Sequence, residues 1–290
     1  MVKGNSSLAA LREQLDRIDE QLHDLIMERA GIAERVRLFK QSQSVWRPAR
    51  EAQILRKLLD RHKGPFPIAT ICQIWREIIS AMVRLQTDFV VAVHAPEKNR
   101  KCRDLARNHF GIETPIIMCA SANAVLTAVQ EGSATVGVLP YPEDEEQNPW
   151  WAVLKDMANS STAVCAKLPL LETATENSDS ALCIAGIDSE DSGRDYTICI
   201  VRTKTKASRS RISQVIAATG IRPIRIIARG LPQDGFSEFF TVLEGFAGPG
   251  DARLARLSDQ NEGIADSVIV LGHYAQPLRT DDISSMENVS

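Results

Sequence analysis

The stretch LAALREQLDRIDEQLHDLIMERAGIAERVRLF, residues 8–39, repeats its apolar side chains at alternating intervals of three and four. The repeat comprises Leu8, Leu11, Leu15, Ile18, Leu22, Leu25, Ile32, Val36 and Phe39. This spacing places the apolar side chains in one stripe along an amphipathic helix. Because residues 6–41 contain no proline, the sequence predicts one helix of about 36 residues and ~54 Å. Such a rod needs a partner helix, from the same chain or from a second copy.

Arg29 occupies a position in this stripe where an apolar residue is expected. A buried guanidinium without an anion is costly, so Arg29 indicates either a structural salt bridge or a bound anion. Lys40 lies three turns further along nearly the same face, about 16 Å away along the axis. The two cations could therefore hold one small anionic ligand. Arg12 lies roughly 25 Å before Arg29, and could reach that ligand only from a second, antiparallel chain.

Two further helices are predicted before residue 90. The pair Arg47-Pro48 favours a helix that begins near Pro48, and Glu51 shares its apolar face. The run Gly64-Pro65-Phe66-Pro67 then breaks the chain. A second apolar stripe follows, with Gln86 beside it. This stripe comprises Ile68, Ile71, Trp75, Ile78, Met82, Leu85 and Phe89.

Together, these helices resemble the all-helical chorismate mutases of the AroQ type, whose three-helix chains form intertwined dimers. The resemblance runs from about Leu8 to Gln86, and an ordered set of motifs carries it. The set comprises Leu11-Arg12-Glu13, Ile18-Asp19, Glu28-Arg29, Lys40, Arg50-Glu51 and Ile78-Ile79-Ser80 leading to Gln86. The chain departs from the family at Arg47, where an acidic residue is common, and at Met82, where a serine is common.

The resemblance implies a catalytic set of Arg29, Lys40, Glu51 and Gln86, with Arg12, Arg50 and Met82 in substrate binding. Arg29 would bind a carboxylate of chorismate in its own chain, and Arg12 would bind a carboxylate in the partner's site. Lys40 and Gln86 would hydrogen-bond the ether oxygen of the breaking bond. Glu51 would hold the ring hydroxyl.

These residue types suit the rearrangement of chorismate to prephenate, which is a concerted [3,3] shift. The resemblance therefore implies a reaction without a metal or other cofactor. Fixed cations and an amide would hold the substrate folded and stabilise negative charge on the ether oxygen. The predicted function is a chorismate mutase of aromatic amino-acid biosynthesis that acts as a homodimer.

Length and composition limit the rest of the chain. The chain has 290 residues, so about 200 remain for one or two further domains. A hydrophobic fraction of 44% argues against wholesale disorder, and a net charge of -3 argues against a nucleic-acid surface. The six cysteines show no metal-ligand spacing. With no signal peptide and no membrane-spanning apolar run, they predict buried free thiols in a cytoplasmic protein.

From Phe89 onward, predicted strands and helices alternate. The strands are predicted at 89–93, 115–119 and 134–139, and the helices at 101–109 and 122–131. This βαβαβ order predicts a parallel sheet with helices on its faces. Further strands are predicted at 164–171 and 181–187, with a surface loop at 140–151.

This second segment resembles a shortened prephenate dehydratase domain. Residues 122–140, ANAVLTAVQEGSATVGVLP, match a helix and strand of that family. Ser180-Ala181-Leu182 stands where the family has Thr-Arg-Phe, and the chain has little room for the family's second lobe. The resemblance therefore implies a non-catalytic relic. The alternatives are a bifunctional chorismate mutase/prephenate dehydratase and a regulatory protein that binds an aromatic metabolite without turnover.

Residues 195–278 are predicted to follow a βαββαβ order and resemble an ACT regulatory domain. Val270-Leu271-Gly272-His273-Tyr274 is close to the closing motif of that family. The phenylalanine-binding segments of dehydratase-linked ACT domains are replaced by Lys206-Ala207-Ser208-Arg209 and Ala228-Arg229-Gly230-Leu231. A packing module without a ligand is therefore the alternative to a regulatory domain.

The predicted fold class is thus multi-domain. An all-α mutase domain (1–88) precedes an α/β domain (89–190), an α+β ACT-like domain (191–278) and a polar tail (279–290). Chorismate is the expected substrate, and no nucleic acid, membrane, cofactor or metal is expected.

Overall fold

Three helices form the N-terminal part of the protein, as predicted. The computed structural model describes residues 8–39, 45–97, 99–144, 146, 148–157, 161–172, 179–204, 207–229, 236–248, 250–258 and 265–279. The helices are α1 (Leu8–Phe39), α2 (Pro48–Arg61) and α3 (Ile68–Gln86). Helix α2 begins at Pro48 because proline lacks an N–H and suits the first helical position.

The apolar stripe of α1 faces solvent in the single chain, although α1 packs along α3. Its members Leu8, Leu11, Leu15, Ile18, Leu22, Leu25, Ile32 and Val36 are between 44% and 65% exposed. A contiguous exposed apolar surface marks an interaction surface.

Helix α3 buries a face that overlaps the predicted stripe only at Met82. Its buried side chains are Cys72, Arg76, Ile79, Ser80, Met82 and Val83. Leu85, a member of the predicted stripe, is 65% exposed. The stripe prediction was wrong at Leu85 because α3 has a second apolar face, which packs against the sheet region. Periodicity alone does not rank two such faces.

A mixed sheet with helices on its faces follows the three helices. Its first elements are β1 (Val91–His94), α4 (Lys101–Phe110), β2 (Ile116–Cys119), α5 (Ala122–Gln130), β3 (Val136–Pro140), α6 (Trp150–Asp156), β4 (Ala163–Leu168), β5 (Leu171–Glu172) and β6 (Ala181–Ala185). The later elements are β7 (Asp195–Thr203), α7 (Arg209–Ala218), β8 (Pro223–Ala228), β9 (Ser237–Glu244), α8 (Ala252–Ala255), a 3-10 turn (Arg256–Ser258), β10 (Ser267–Ala275) and β11 (Leu278–Arg279).

The described strands form one nine-stranded sheet in the order β2-β1-β3-β6-β4-β10-β7-β9-β8, with β5 and β11 paired separately. Strands β1, β2 and β3 are parallel, as predicted. Strand β6 is antiparallel to β3 and β4, so the strands added after the βαβαβ unit do not continue its parallel order. Only residues 169–180 join β4 to β6, a length that suits an antiparallel return better than a helical crossover.

The prediction of a surface loop at 140–151 was wrong for its last two residues. Trp150 and Trp151 begin α6 and are 2% and 1% exposed. Trp150 Nε1 donates to the carbonyl of Pro140 at 2.9 Å. The acidic residues before the two indoles suggested a surface segment, but burial of two large aromatic side chains outweighs that local signal.

The predicted βαββαβ order of the last unit is confirmed by β7, α7, β8, β9, α8 and β10. This unit joins the first part of the sheet at one position, where Gly272 of β10 pairs with Val164 of β4. Gly272 has a φ of +140°, which favours glycine. The division into domains at residue 190 stays a prediction, because one sheet runs through both segments.

Polar contacts tie α2 and α3 to the sheet region. The guanidinium of Arg56 donates to the carbonyls of Ser192 and Arg194, each at 2.8 Å. Arg84 Nη1 donates to Thr114 Oγ1 at 3.0 Å. Helices α2 and α3 are therefore integrated with the sheet region, whereas α1 keeps its apolar stripe exposed.

All six cysteines are buried free thiols, as predicted. Among the described helices, none combines the length and apolar character that a membrane crossing requires.

Candidate active site

Helix α1 carries the two arginines that were predicted to bind carboxylates. Arg12 is exposed and Arg29 is half-buried. Burial lowers the pKa of the Arg29 guanidinium from its usual value. Neither arginine forms an ion pair with any acidic side chain in the described ranges. Arg29 therefore has no salt-bridge partner in the described ranges. Its positive charge is available to bind an anion.

Lys40 and Arg47 lie between α1 and α2 in the sequence. Lys40 lies outside the described residues, so its contact with the ether oxygen stays a prediction. Arg47, where the resembled family has an acidic residue, donates through Nε to Glu190 at 2.8 Å. Arg47 therefore links the start of α2 to the sheet region.

Glu51 is buried on the apolar face of α2, as predicted, and its carboxylate is already engaged. Its Oε2 accepts a hydrogen bond from Arg76 Nη1 at 2.6 Å, and the indole of Trp46 lies beside the carboxylate. His109 Nε2 lies 3.7 Å from the same Oε2. Burial raises the pKa of Glu51, and the charge and hydrogen bond of Arg76 oppose that shift. Glu51 thus faces α3 and α4 in the single chain.

Two other predicted residues lie together near the end of α3. The side-chain amide of Gln86 donates to the carbonyl of Met82 at 2.9 Å, and the Met82 side chain is buried. Arg50 is exposed on α2, and its Nη1 donates to Gln53 at 3.4 Å. In the part of the chain that the structure describes, no hydrogen bond or ion pair joins Gln86 to Arg29 or Glu51.

Sequence reasoning missed Arg76 and His109 as partners of Glu51. A signal for Arg76 existed, because it follows Cys72 by four residues and precedes Ile79 by three. This is the same helical spacing that singled out Arg29. No comparable signal existed for His109, since its contact with Glu51 depends on how α4 packs against α3.

A cavity of about 80 Å³ lies where the start of α2 meets the sheet region. Trp46 and Arg47 line it on one side, and Asp195 and His273 on the other. The Nε2 of His273 donates to the carbonyl of Ala247 at 2.8 Å. Of the described side chains, no three of the His, Cys, Asp or Glu type are grouped so that they could hold a metal ion.

Asp195 predicts a pH dependence of stability. Its carboxylate accepts from the backbone N–H of Ser192 at 2.9 Å and from its hydroxyl at 2.7 Å, and burial raises its pKa to about 6. The folded state therefore binds this proton more tightly than the unfolded state. As the pH rises from 4 to 7, Asp195 is expected to lower the free energy of unfolding by about 1–3 kcal/mol.

Urea unfolding of the wild type and Asp195→Asn across this pH range measures the effect. The free energy of the variant is expected to change less with pH, because asparagine does not titrate. Parallel curves for the two proteins would contradict the assignment.

The N-terminal helices match a known family. Residues 11–87 match the family model described as chorismate mutase type II. Residues 11–87 are a type II chorismate mutase domain. This mutase domain comprises most of α1, all of α2 and all of α3, and it ends before β1.

The similarity to curated proteins extends beyond the mutase domain. A bifunctional chorismate mutase/prephenate dehydratase of Pseudomonas aeruginosa is 33% identical over 149 residues, which cover 48% of this chain and 40% of that protein. A protein of the same name from Aquifex aeolicus is 34% identical over 139 residues, covering 46% and 38%. Both matched lengths exceed the span 11–87, so they continue into the sheet region. The chain spans about two fifths of the length of these relatives.

Solved structures resemble the chain more weakly. A prephenate dehydratase from Arthrobacter aurescens in complex with L-Phe has a TM-score of 0.46 at 14% identity, covering 69% of this chain and 97% of that one. Similarity at this level carries no conclusion about function.

Proposed function

We propose that the protein is a chorismate mutase that converts chorismate to prephenate. The observation that carries the proposal is Arg29, a half-buried guanidinium within the mutase domain and without an acidic partner in the described chain. A second chain packed along the exposed stripe would bury this guanidinium further, where an uncompensated cation is costly, and a carboxylate of the substrate would remove that cost.

The other roles follow from the same chemistry. Lys40 and Gln86 would stabilise negative charge on the ether oxygen, and Arg12 of a second chain would bind the other carboxylate. Preorganised donors of this kind lower the barrier without forming a covalent intermediate. Glu51 would accept from the ring hydroxyl, with Arg50 and Met82 as further substrate-binding residues.

A homodimer completes this proposal. The exposed apolar stripe of α1 supports it, because a second α1 that packed along the stripe would remove that surface from water. Arg12 lies on the same helix and would then approach the partner's site.

The decisive experiment measures the loss of chorismate absorbance with the purified full-length protein. Accumulation of prephenate is expected, with phenylpyruvate appearing only after acid treatment. Enzymatic formation of phenylpyruvate would instead establish a bifunctional chorismate mutase/prephenate dehydratase, the name that the relatives carry. Chorismate binding without turnover would overturn the enzymatic proposal in favour of a regulatory protein.

A further inference from the structure

Arg76, Glu51 and His109 form a buried cluster where α2, α3 and α4 meet. Their exposed fractions are 6%, 7% and 7%. Arg76 Nη1 lies 2.6 Å from Glu51 Oε2 and 3.4 Å from His109 Nε2. One guanidinium nitrogen thus bridges a carboxylate of the mutase domain and a histidine that lies outside residues 11–87.

The hydrogen-bond roles in this cluster are set by the chemistry of arginine. A guanidinium only donates, so His109 Nε2 accepts and the ring carries its proton on Nδ1. Burial and the charge of Arg76 lower the pKa of His109, which keeps the ring neutral near pH 7. A neutral acceptor orients Arg76 without adding a second charge. The ring of His109 is itself held edge-on against Phe110, with the ring centroids 4.6 Å apart.

Stability alone gives little reason for this cluster. Arg76 Nη2 is buried and has no hydrogen-bond partner among the described residues, and such an unpaired buried donor is destabilising. Buried ion pairs are often no more stabilising than apolar side chains of similar volume. The cluster includes Glu51, a predicted site residue, and persists despite these energetic costs. This indicates that the cluster has a role in the site.

We propose that Arg76 and His109 are positioning residues that act through Glu51, so that the sheet region helps to set the geometry of the mutase site. This inference rests on the proposed mutase activity. Arg76 fixes one oxygen of the Glu51 carboxylate, and His109 fixes Arg76. A carboxylate has about four acceptor sites, so Glu51 can keep its hydrogen bond to Arg76 and still accept from the substrate hydroxyl.

The experiment compares chorismate turnover by full-length wild type, Arg76→Met and His109→Leu. Each variant is expected to lose about 10- to 100-fold in kcat, because small displacements of a positioned group reduce turnover strongly. KM is expected to change less, since the cations that bind the carboxylates remain. His109→Asn, whose amide oxygen can still accept from Arg76, is expected to recover part of the loss.

A matched control is His273→Leu. His273 is also buried, at 5% exposed, and also lies outside residues 11–87, but it contacts the carbonyl of Ala247. Its variant is expected to retain kcat. Far-UV circular dichroism and Tm of every variant establish the folded fraction to which kcat refers. Arg76→Lys, which keeps the charge but loses the planar fork, replaces Arg76→Met if the latter does not fold, and the same fall in kcat is expected.

The possible failures are distinguishable. Wild type without any turnover overturns the proposed mutase activity and this inference together. Active wild type with an unchanged kcat in the folded Arg76 and His109 variants overturns this inference alone. A fall in kcat of the His273 variant as large as that of the Arg76 and His109 variants also overturns this inference alone. The effect on kcat would then not pass through Glu51.

Discussion

Arg29→Ala is expected to reduce chorismate turnover by about 100-fold or more while the far-UV circular dichroism stays that of the wild type. Loss of one preorganised donor to a developing or bound charge commonly costs about 3 kcal/mol in the transition state. The helix should persist, because alanine has the highest helix propensity and Arg29 makes no ion pair within the described chain. Initial rates of chorismate loss at several substrate concentrations measure the effect.

Arg17→Ala is the matched control for this prediction. Arg17 is exposed on the same helix and lies off the apolar stripe, so its removal changes the net charge by the same amount. Turnover by the control is expected to remain within about twofold of wild type, since a solvated surface charge contributes little. Equal losses in the two variants would point to a general effect of charge and would contradict a specific role for Arg29.

Mixed dimers test the proposed shared site. Arg12→Ala and Arg29→Ala chains, each inactive alone, are unfolded together and refolded. If Arg12 serves the partner's site, a heterodimer contains one site that lacks both arginines and one that retains both. Partial recovery of turnover is therefore expected. No recovery in a confirmed heterodimer would contradict the shared site but not the mutase activity.

Gly272→Ala is expected to cost about 3 kcal/mol or more in the free energy of unfolding. The added Cβ would lie 2.7 Å from the backbone N of Val164, and closer still to its carbonyl oxygen. The positive φ of +140° adds strain for any residue with a Cβ. Because the obstacle is the β4 backbone, a change of side-chain rotamer does not relieve it. Urea denaturation measures the loss.

Gly245→Ala separates these two contributions. Gly245 has a φ of +92°, but a Cβ there would meet nothing within 4 Å. Its substitution is expected to cost only the backbone strain, about 1–2 kcal/mol. A similar loss of unfolding free energy at both glycines would contradict this explanation. The close approach of β10 to β4 would then not be the reason that position 272 requires glycine.

Local patterns in the sequence allowed most helices and strands to be predicted. The three-four spacing of α1 and the Pro48 start of α2 act within a few residues, so neighbouring side chains suffice to set them. The βαββαβ order of the last unit was also predictable from short apolar runs and their turns. Within the candidate site, the same spacing identified Arg29 as an unusual cation in an apolar stripe.

The sequence by itself therefore determined most of the helices and strands, with α6 as an exception, and the residue types that each face carries. Tertiary structure alone decided that Glu51 meets Arg76 and His109, that β6 runs antiparallel to β3, and that Leu85 is exposed. Each of these depends on which of several faces or edges finds a partner far away in the chain. Periodicity predicts that a face is apolar. Packing between elements that are distant in the sequence decides which surface covers that face.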